Sequence, residues 1–180
     1  MCPIYKENKM ELTLETERLT LRDFQLGDIE AWLTITSHPK YQTFYPKEEC
    51  SPEFNAHLLE MFVEQSEQRP RTKFQLVIEG KESHQVIGTV AFRLEADNQA
   101  SIGFGLAVDR QGRGIAVEAM TALIEFGIAQ FAPSVIFAET KAGNKAAIAV
   151  CRRLGLKQLE DRPTPYDTDL LRLELKVTAV

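Results

Sequence analysis

With 180 residues, 44% of them apolar, the chain can bury one sizeable core and is short for two, so a single domain over 1–180 is expected. No apolar run approaches the ~18 residues of a membrane span, and Met1 to Met10 carries charges without an apolar centre, so neither membrane nor secretory leader is expected and the cytoplasm is the expected compartment. A formal net charge of −5 with no basic stripe disfavours nucleic acid and suits a basic acceptor better.

Residues 1–10 read as a loosely docked end. From Glu17 to Phe24 the sequence alternates, with Leu19 and Leu21 on one face and Thr20 and Arg22 on the other, which predicts a strand. Ile29, Trp32, Leu33 and Thr36 then recur at helical spacing behind Asp28, and His38-Pro39 ends that helix. The stretch KYQTFYPKEEC reads as a loop. Ser51 followed by Pro52 is a helix opening, a cap and then proline in the first turn, with Phe54, Leu58, Met61 and Phe62 as the expected buried stripe. Thr72 to Glu79 and Val86 to Glu95 alternate as two strands around the turn GKESHQ, and Ala96-Asp97-Asn98 turns the chain again, giving an antiparallel meander.

The next stretch, Ile102 to Ala119, organises the rest. Ile102, Phe104, Leu106 and Val108 alternate with Gly103, Gly105 and Ala107, a strand with one bulky face and one bare face. Glycines inside a strand mark a bulge or the close approach of a ligand or another backbone, or they let a helix pack tightly. The run breaks at Asp109 to Gly114, and Ala116, Met120, Leu123, Ile124, Gly127 and Phe131 then follow helical spacing. A turn of this kind leaves the first helical N–H groups unpartnered at the positive end of the helix dipole; Gly112 and Gly114 clear the approach, while Arg110 and Arg113 add positive charge. The expectation is a cradle for a phosphate group. It is not a P-loop, because G-x-x-x-x-G-K-[ST] is missing from the sequence, and it does not meet the dinucleotide spacing G-x-G-x-x-G, whose third position would be Val117 or Val108.

Ser134 to Thr140 is the strand after this helix, so strand, helix and strand form a crossover and the two strands should be parallel. Ala147, Val150, Cys151 and Leu154 mark a last helix stopped by Gly155, and Leu170 to Val177 alternates with Leu171, Leu173 and Leu175 inward. Cys2, Cys50 and Cys151, like His38, His57 and His84, are widely scattered, which argues against a disulfide framework and a metal site.

Gln111-Gly112-Arg113-Gly114-Ile115-Ala116 resembles the (Gln/Arg)-x-x-Gly-x-(Gly/Ala) loop of the GCN5-related N-acetyltransferase (GNAT) superfamily. Together with ETERLTLRDF, SHPKYQTFYP, QVIGTVAFR and GNKAAIAVCRRLGL, the chain resembles the branch containing ribosomal-protein N-terminal acetyltransferases of the RimJ/RimL type. The resemblance implies an α/β (mixed α+β) fold, with a central, mostly antiparallel mixed sheet of about seven strands flanked by about four helices. It implies acetyl-CoA as the acetyl donor, lying in a V-shaped opening between the glycine-bearing strand and the strand ending at Thr140. Amides near Leu106, Ala107 and Val108 would meet the pantetheine arm, and those from Gln111, Gly112, Arg113, Gly114, Ile115 and Ala116 the pyrophosphate. Asn144 matches the asparagine that helps hold the cofactor.

The superfamily's reaction is direct attack of an amine on the thioester, with no metal and no covalent enzyme intermediate. The carboxylate that often serves as base before the glycine-bearing pair is absent from Ala100-Ser101-Ile102, which leaves Glu139 as the candidate, acting through water, or as an exposed strand-end glutamate. Ala147 and Cys151 stand where related chains carry serine or tyrosine. The Cys151 thiol could protonate the leaving thiolate, or it could be a small buried hydrophobe with water as the donor. Phe44 and Tyr45 are the candidates for binding the acceptor, and Trp32 reads as core. The expected acceptor is a protein N-terminal α-amine, with a small amine or a non-catalytic acyl-CoA-binding module as alternatives, and the expected state is monomer or homodimer.

Overall fold

The computed structural model describes residues 11–158 and 169–178; the end read as loosely docked, residues 1–10, lies outside them. Eight strands form one sheet: β1 (Thr13–Glu15), β2 (Leu19–Asp23), β3 (Lys73–Gly80), β4 (Gln85–Glu95), β5 (Gln99–Leu106), β6 (Val135–Lys141), β7 (Lys157–Gln158) and β8 (Leu170–Lys176). Their order across the sheet is β1-β2-β3-β4-β5-β6-β8-β7. Every neighbouring pair is antiparallel except β5 and β6, the pair joined by the crossover helix.

The parallel pair is short. Gln99, Ala100 and Ser101 partner Val135, Ile136 and Phe137, and there the pairing stops. Beyond it β5 stays on β4 as far as Leu106, and β6 stays on β8 as far as Lys141. The sheet therefore splits into two halves that diverge from Ser101 and Phe137 onward, which gives the expected opening a definite place.

Among the described residues, five helices cover the sheet: α1 (Ile29–Thr36), α2 (Pro39–Gln42), α3 (Pro52–Glu67), α4 (Ile115–Phe131) and α5 (Lys145–Arg153). On one face α4 and α5 bury Met120, Leu123, Ile148 and Cys151 against Leu21, Leu76, Phe92, Ile136 and Leu173. On the other, α1 and α3 bury Trp32, Leu59 and Phe62 against Phe24 and Val77, where Phe24, Trp32 and Phe62 meet at centroid distances of 5.2–6.2 Å. Trp32 is core, and its indole N–H donates to the Asn55 carbonyl at 2.9 Å.

Local chemistry sets the helix starts. The Ser51 hydroxyl accepts from the Phe54 amide at 3.1 Å with Pro52 in the first turn, and the Asn144 Oδ1 accepts from the Ala147 amide at 3.2 Å. The stretch read as a loop after His38-Pro39 holds the short helix α2, whose first turn is capped by the His38 ring accepting from the Lys40 amide, and a 3-10 turn over Lys47–Cys50. The buried face of α3 is also turned by one position from the expected stripe. Asn55, Leu59, Phe62 and Gln65 face the sheet, while Phe54, Leu58 and Met61 are half-buried on its flank. In β8 only Leu173 is fully buried.

The helix α4 meets β4 through Gly127, where an added Cβ would overlap the fully buried Phe92 ring. Phe92 cannot retreat, because Phe131 stacks on it and in turn meets Phe74 and Phe126. Replacing Gly127 by alanine should gain about 1 kcal/mol of helix propensity and lose about 1–3 kcal/mol to overpacking. The expected outcome is a destabilised protein with a lowered midpoint of urea unfolding; a raised midpoint would show that the Phe92 cluster yields.

Candidate active site

At the C-terminal end of β5 the chain makes a 3-10 turn over Val108–Arg110 and then the loop from Gln111 to Gly114. Gly112 and Gly114 hold φ of 74° and 77°, a left-handed backbone that glycine adopts without a Cβ penalty, and Gly114 is the cap of α4. Gln111 ties the loop to the strand by donating from Nε2 to the Leu106 carbonyl at 3.3 Å. Among the described residues, no group accepts a hydrogen bond from the amides of Gly112 to Val117; the first engaged amide is that of Glu118, which bonds the Gly114 carbonyl at 3.0 Å. These unpartnered N–H groups converge on the positive end of the 17-residue helix α4. The side chains of Ile115 and Ala116 are buried in the core, so only their backbones face the loop.

What stabilises this loop from outside has no local signature in the sequence. Glu118, in the first turn of α4, accepts from the Thr16 hydroxyl at 2.6 Å and from the Arg18 amide at 3.0 Å, and its other oxygen pairs with the Arg18 guanidinium at 2.6 Å. Arg18 also donates to the Arg113 carbonyl at 3.2 Å. The turn between β1 and β2 thus pins the cradle and neutralises the acid beside it. Burial works against the Glu118 charge, but its hydrogen bonds from Thr16 and Arg18 outweigh that and hold the carboxyl below its ordinary range. Arg113 is exposed, whereas Arg110 is occupied by Asp109 at 3.2 Å. Of the amides assigned to the pantetheine arm, Ala107 N–H already donates to the Ile87 carbonyl at 2.9 Å.

On the face of β5 toward α1 and α3 lies a cavity of about 320 Å³, within the range of small-molecule sites. Its wall includes Phe54, Leu58 and Met61 on the flank of α3, with Tyr41, Tyr45, Gln75, Thr89, Arg93, Gly103 and Phe104. The bare face of β5 is filled by two side chains. A Cβ on Gly105 would meet the Tyr41 hydroxyl at 2.7 Å, and one on Gly103 would meet the Arg93 guanidinium at 3.5 Å. Tyr41 stacks on Tyr45 at 5.3 Å, and its burial, with Tyr45 beside it, raises the phenol well above its ordinary value.

The expected catalytic and acceptor residues do not share one place. Tyr45 lines the cavity; Phe44 does not, and instead reaches the far half of the sheet, 3.6 Å from where a Cβ on Gly143 would stand. Glu139 is outside the cavity lining, its side chain 39% exposed and its carboxylate 3.7 Å from Arg172, whose guanidinium lies 3.5 Å over the Phe137 ring. Cys151 is 1% exposed in the core, and burial pushes its thiol up to about 11. That is the surrounding of a small buried hydrophobe. Asn144 caps α5. Tyr41 and Arg93, which the sequence reading did not select, are the polar groups laid directly on the glycines.

The sequence model of the family described as Acetyltransferase (GNAT) domain matches residues 18–157, well over half of the chain. The protein belongs to the GNAT acetyltransferase family. A relative named Uncharacterized N-acetyltransferase p20, from Bacillus licheniformis, is 29% identical over 151 residues, 81% of this chain and 83% of its own. The fold is shared with RimL, the ribosomal L7/L12 alpha-N-protein acetyltransferase, at a TM-score of 0.75 and 16% identity, covering 98% of this chain and 100% of that one. It is also shared with the microcin C7 self-immunity acetyltransferase MccE, solved with acetyl-CoA and AMP, at a TM-score of 0.73 and 20% identity over 90% of this chain and 94% of that one. Among the described residues no helix is long and apolar enough to cross a membrane, and no three His, Cys, Asp or Glu side chains gather as metal ligands.

Two outcomes test the cradle. Gly114→Ala, which adds only left-handed strain, should cost about 1–3 kcal/mol of stability, whereas Gly114→Trp should weaken acetyl-CoA binding at least about tenfold beyond the alanine variant in calorimetry; equal affinities would remove the cradle. Because the Glu118 pKa is depressed on folding, its contribution is fully present above the unfolded value of about 4.3 and is lost as pH falls through the lower folded value. Acid unfolding of Glu118→Gln should therefore be less steep below about pH 4.3 than that of the parent, and parallel curves would contradict the pairing.

Proposed function

We propose that this domain, acting as one unit over 1–180, transfers an acetyl group from acetyl-CoA to a primary amine, and that the acceptor is a protein N-terminal α-amine such as that of a ribosomal protein. The observation that carries the reading is the placement of two sites on one strand. The anion cradle follows the end of β5, and a cavity of acceptor size covers the adjacent face, with Gly103 and Phe104 beside the point where β5 and β6 part. RimL, whose name gives an alpha-N-protein acceptor, supports the N-terminal reading. The second reading, a small-molecule amine, is supported by the size of the cavity, about 320 Å³.

In this reading the amides of Gly112 to Ala116 hold the pyrophosphate, and Gln111 keeps their loop closed against the strand. The pantetheine arm enters where the sheet has parted, near Leu106 and Val108, with Asn144 at the opposite wall. The acceptor amine attacks from the cavity side, past Tyr45. An ammonium has no lone pair, so its proton leaves first, to water; Glu139, held by Arg172 outside the cavity, is not required. The Tyr41 phenol stays protonated because of its burial, and beside Gly105 it donates a hydrogen bond to the charge that develops on the thioester. The departing thiolate takes its proton from solvent, and Cys151 remains part of the core.

The test is thiol release from acetyl-CoA, followed against N-terminal peptides and small amines in one preparation. Amine-dependent release is expected, and the best acceptor chooses between the two readings; binding of acetyl-CoA without release from any amine would leave a binding module. Tyr41→Phe should lower kcat by about tenfold or more, while Cys151→Ala should leave it unchanged and lower only the melting temperature. The reverse pattern would return the chemistry to the thiol.

A further inference from the structure

The cavity contains a polar construction that neither the core nor the transfer step calls for. The Thr89 hydroxyl donates to the Leu76 carbonyl at 2.9 Å, Gln75 Nε2 donates to the Thr89 oxygen at 2.7 Å, and Arg93 Nη2 donates to Gln75 Oε1 at 2.9 Å. Gln75 and Thr89 are both buried. This chain fixes which end of the Gln75 amide faces the arginine, and the guanidinium lies across the bare backbone of Gly103. A Cβ at 103 would just touch it, and a side chain longer than alanine would compete for that space.

Burying a guanidinium is costly unless an anion meets it, and here burial does disfavour its charge. Among the described residues Gln75 supplies its one hydrogen bond, and no carboxylate stands within ion-pair distance. Glu95, two positions along the same strand, accepts from Ser101 at 2.7 Å and stands exposed at the strand end, so its charge offsets the burial of Arg93 only in part and without an ion pair. Lys73, which is opposite Arg93 across the ladder, also lines the cavity, and Glu49 is the acid in its lining, on the exposed 3-10 turn. The guanidinium therefore presents its remaining donors, pre-oriented and only partly satisfied, beside the place where the acceptor must sit.

Resting on the transferase reading, we propose that Arg93 is a specificity residue that binds a carboxylate of the acceptor, so that the acceptor is a primary amine carrying a carboxylate a few bonds from its nitrogen. The same chemistry is offered by a free amino acid and by an acidic side chain at the start of a peptide. The acidic net charge of the protein gives no hint of this, because the cation is local and enclosed.

The experiment compares acceptors that differ only in carboxylate against amide: aspartyl- against asparaginyl-headed peptide amides, and free amino acids against their amides. Rates of thiol release at saturating acetyl-CoA should favour the carboxylate member of at least one pair by about tenfold or more in kcat/KM, carried by KM. The responding pair identifies the source. In Arg93→Met the preference should fall to within about twofold of unity, and Arg93→Lys should restore part of it. A parent ratio near one in both pairs, or a preference that survives in Arg93→Met, overturns the proposal; the parent ratio decides alone if the variant does not fold. Calorimetric titration of the same acceptors into the complex with CoA reads the preference without turnover. Carboxylate-selective, Arg93-dependent binding without thiol release would uphold the anion site and end the transferase reading, whereas release with no carboxylate preference would do the opposite.

Discussion

Three residue pairs hold β5 to β6, and the site depends on the strands parting after them. A parallel pair continued to its full length would close the sheet and bring Gly105 and Thr140 toward hydrogen-bonding distance. Instead each strand keeps its antiparallel neighbour, β4 or β8, so the backbone groups on the outer sides are satisfied while those facing the gap are left for another partner. The crossover helix α4 packs on β4 and β5, and its N-terminus places the cradle just beyond the end of β5.

One stretch of chain bridges the halves of the sheet, and another pins the cradle to the first half. The stretch from Tyr41 to Tyr45 lays Tyr41 on Gly105 of β5 and sends Phe44 to Gly143 beyond β6. Behind the cradle, the turn between β1 and β2 reaches α4 through Arg18 and Glu118, a connection across 100 residues of sequence. Both are short polar or aromatic contacts, which fix the walls of the gap without filling it.

The glycines of β5 illustrate how one feature serves both faces of the problem. They are bare toward the acceptor side, yet the space is taken by the Tyr41 ring and the Arg93 guanidinium. Close approach by the Tyr41 side chain accounts for the missing Cβ at Gly105, where the phenol sits deeper than it could beside alanine, while the Arg93 guanidinium rests at ordinary contact distance over Gly103.

Alternation and helical spacing determined the order of the longer elements, the crossover and the glycine-bearing turn before α4, and the loop and strand motifs carried the resemblance to the GNAT family, because all of these follow from neighbours within a few residues; the short elements β1, α2 and β7 were not legible in that spacing. Spacing could not show that α3 turns Phe54, Leu58 and Met61 onto the cavity wall, since a stripe and its flank differ by one position in apolar sequence. Nor could it place Cys151 in the core against Glu139 at the surface, as both stand at the right distance along the chain from the motifs. Tyr41 and Arg93 come from segments about 50 residues apart and meet only over β5, and Glu118 finds Arg18 only when the sheet is assembled. Which side chains share the opening was decided by the tertiary structure, because contacts between distant segments are fixed by strand register and helix packing, and neither is written in local periodicity.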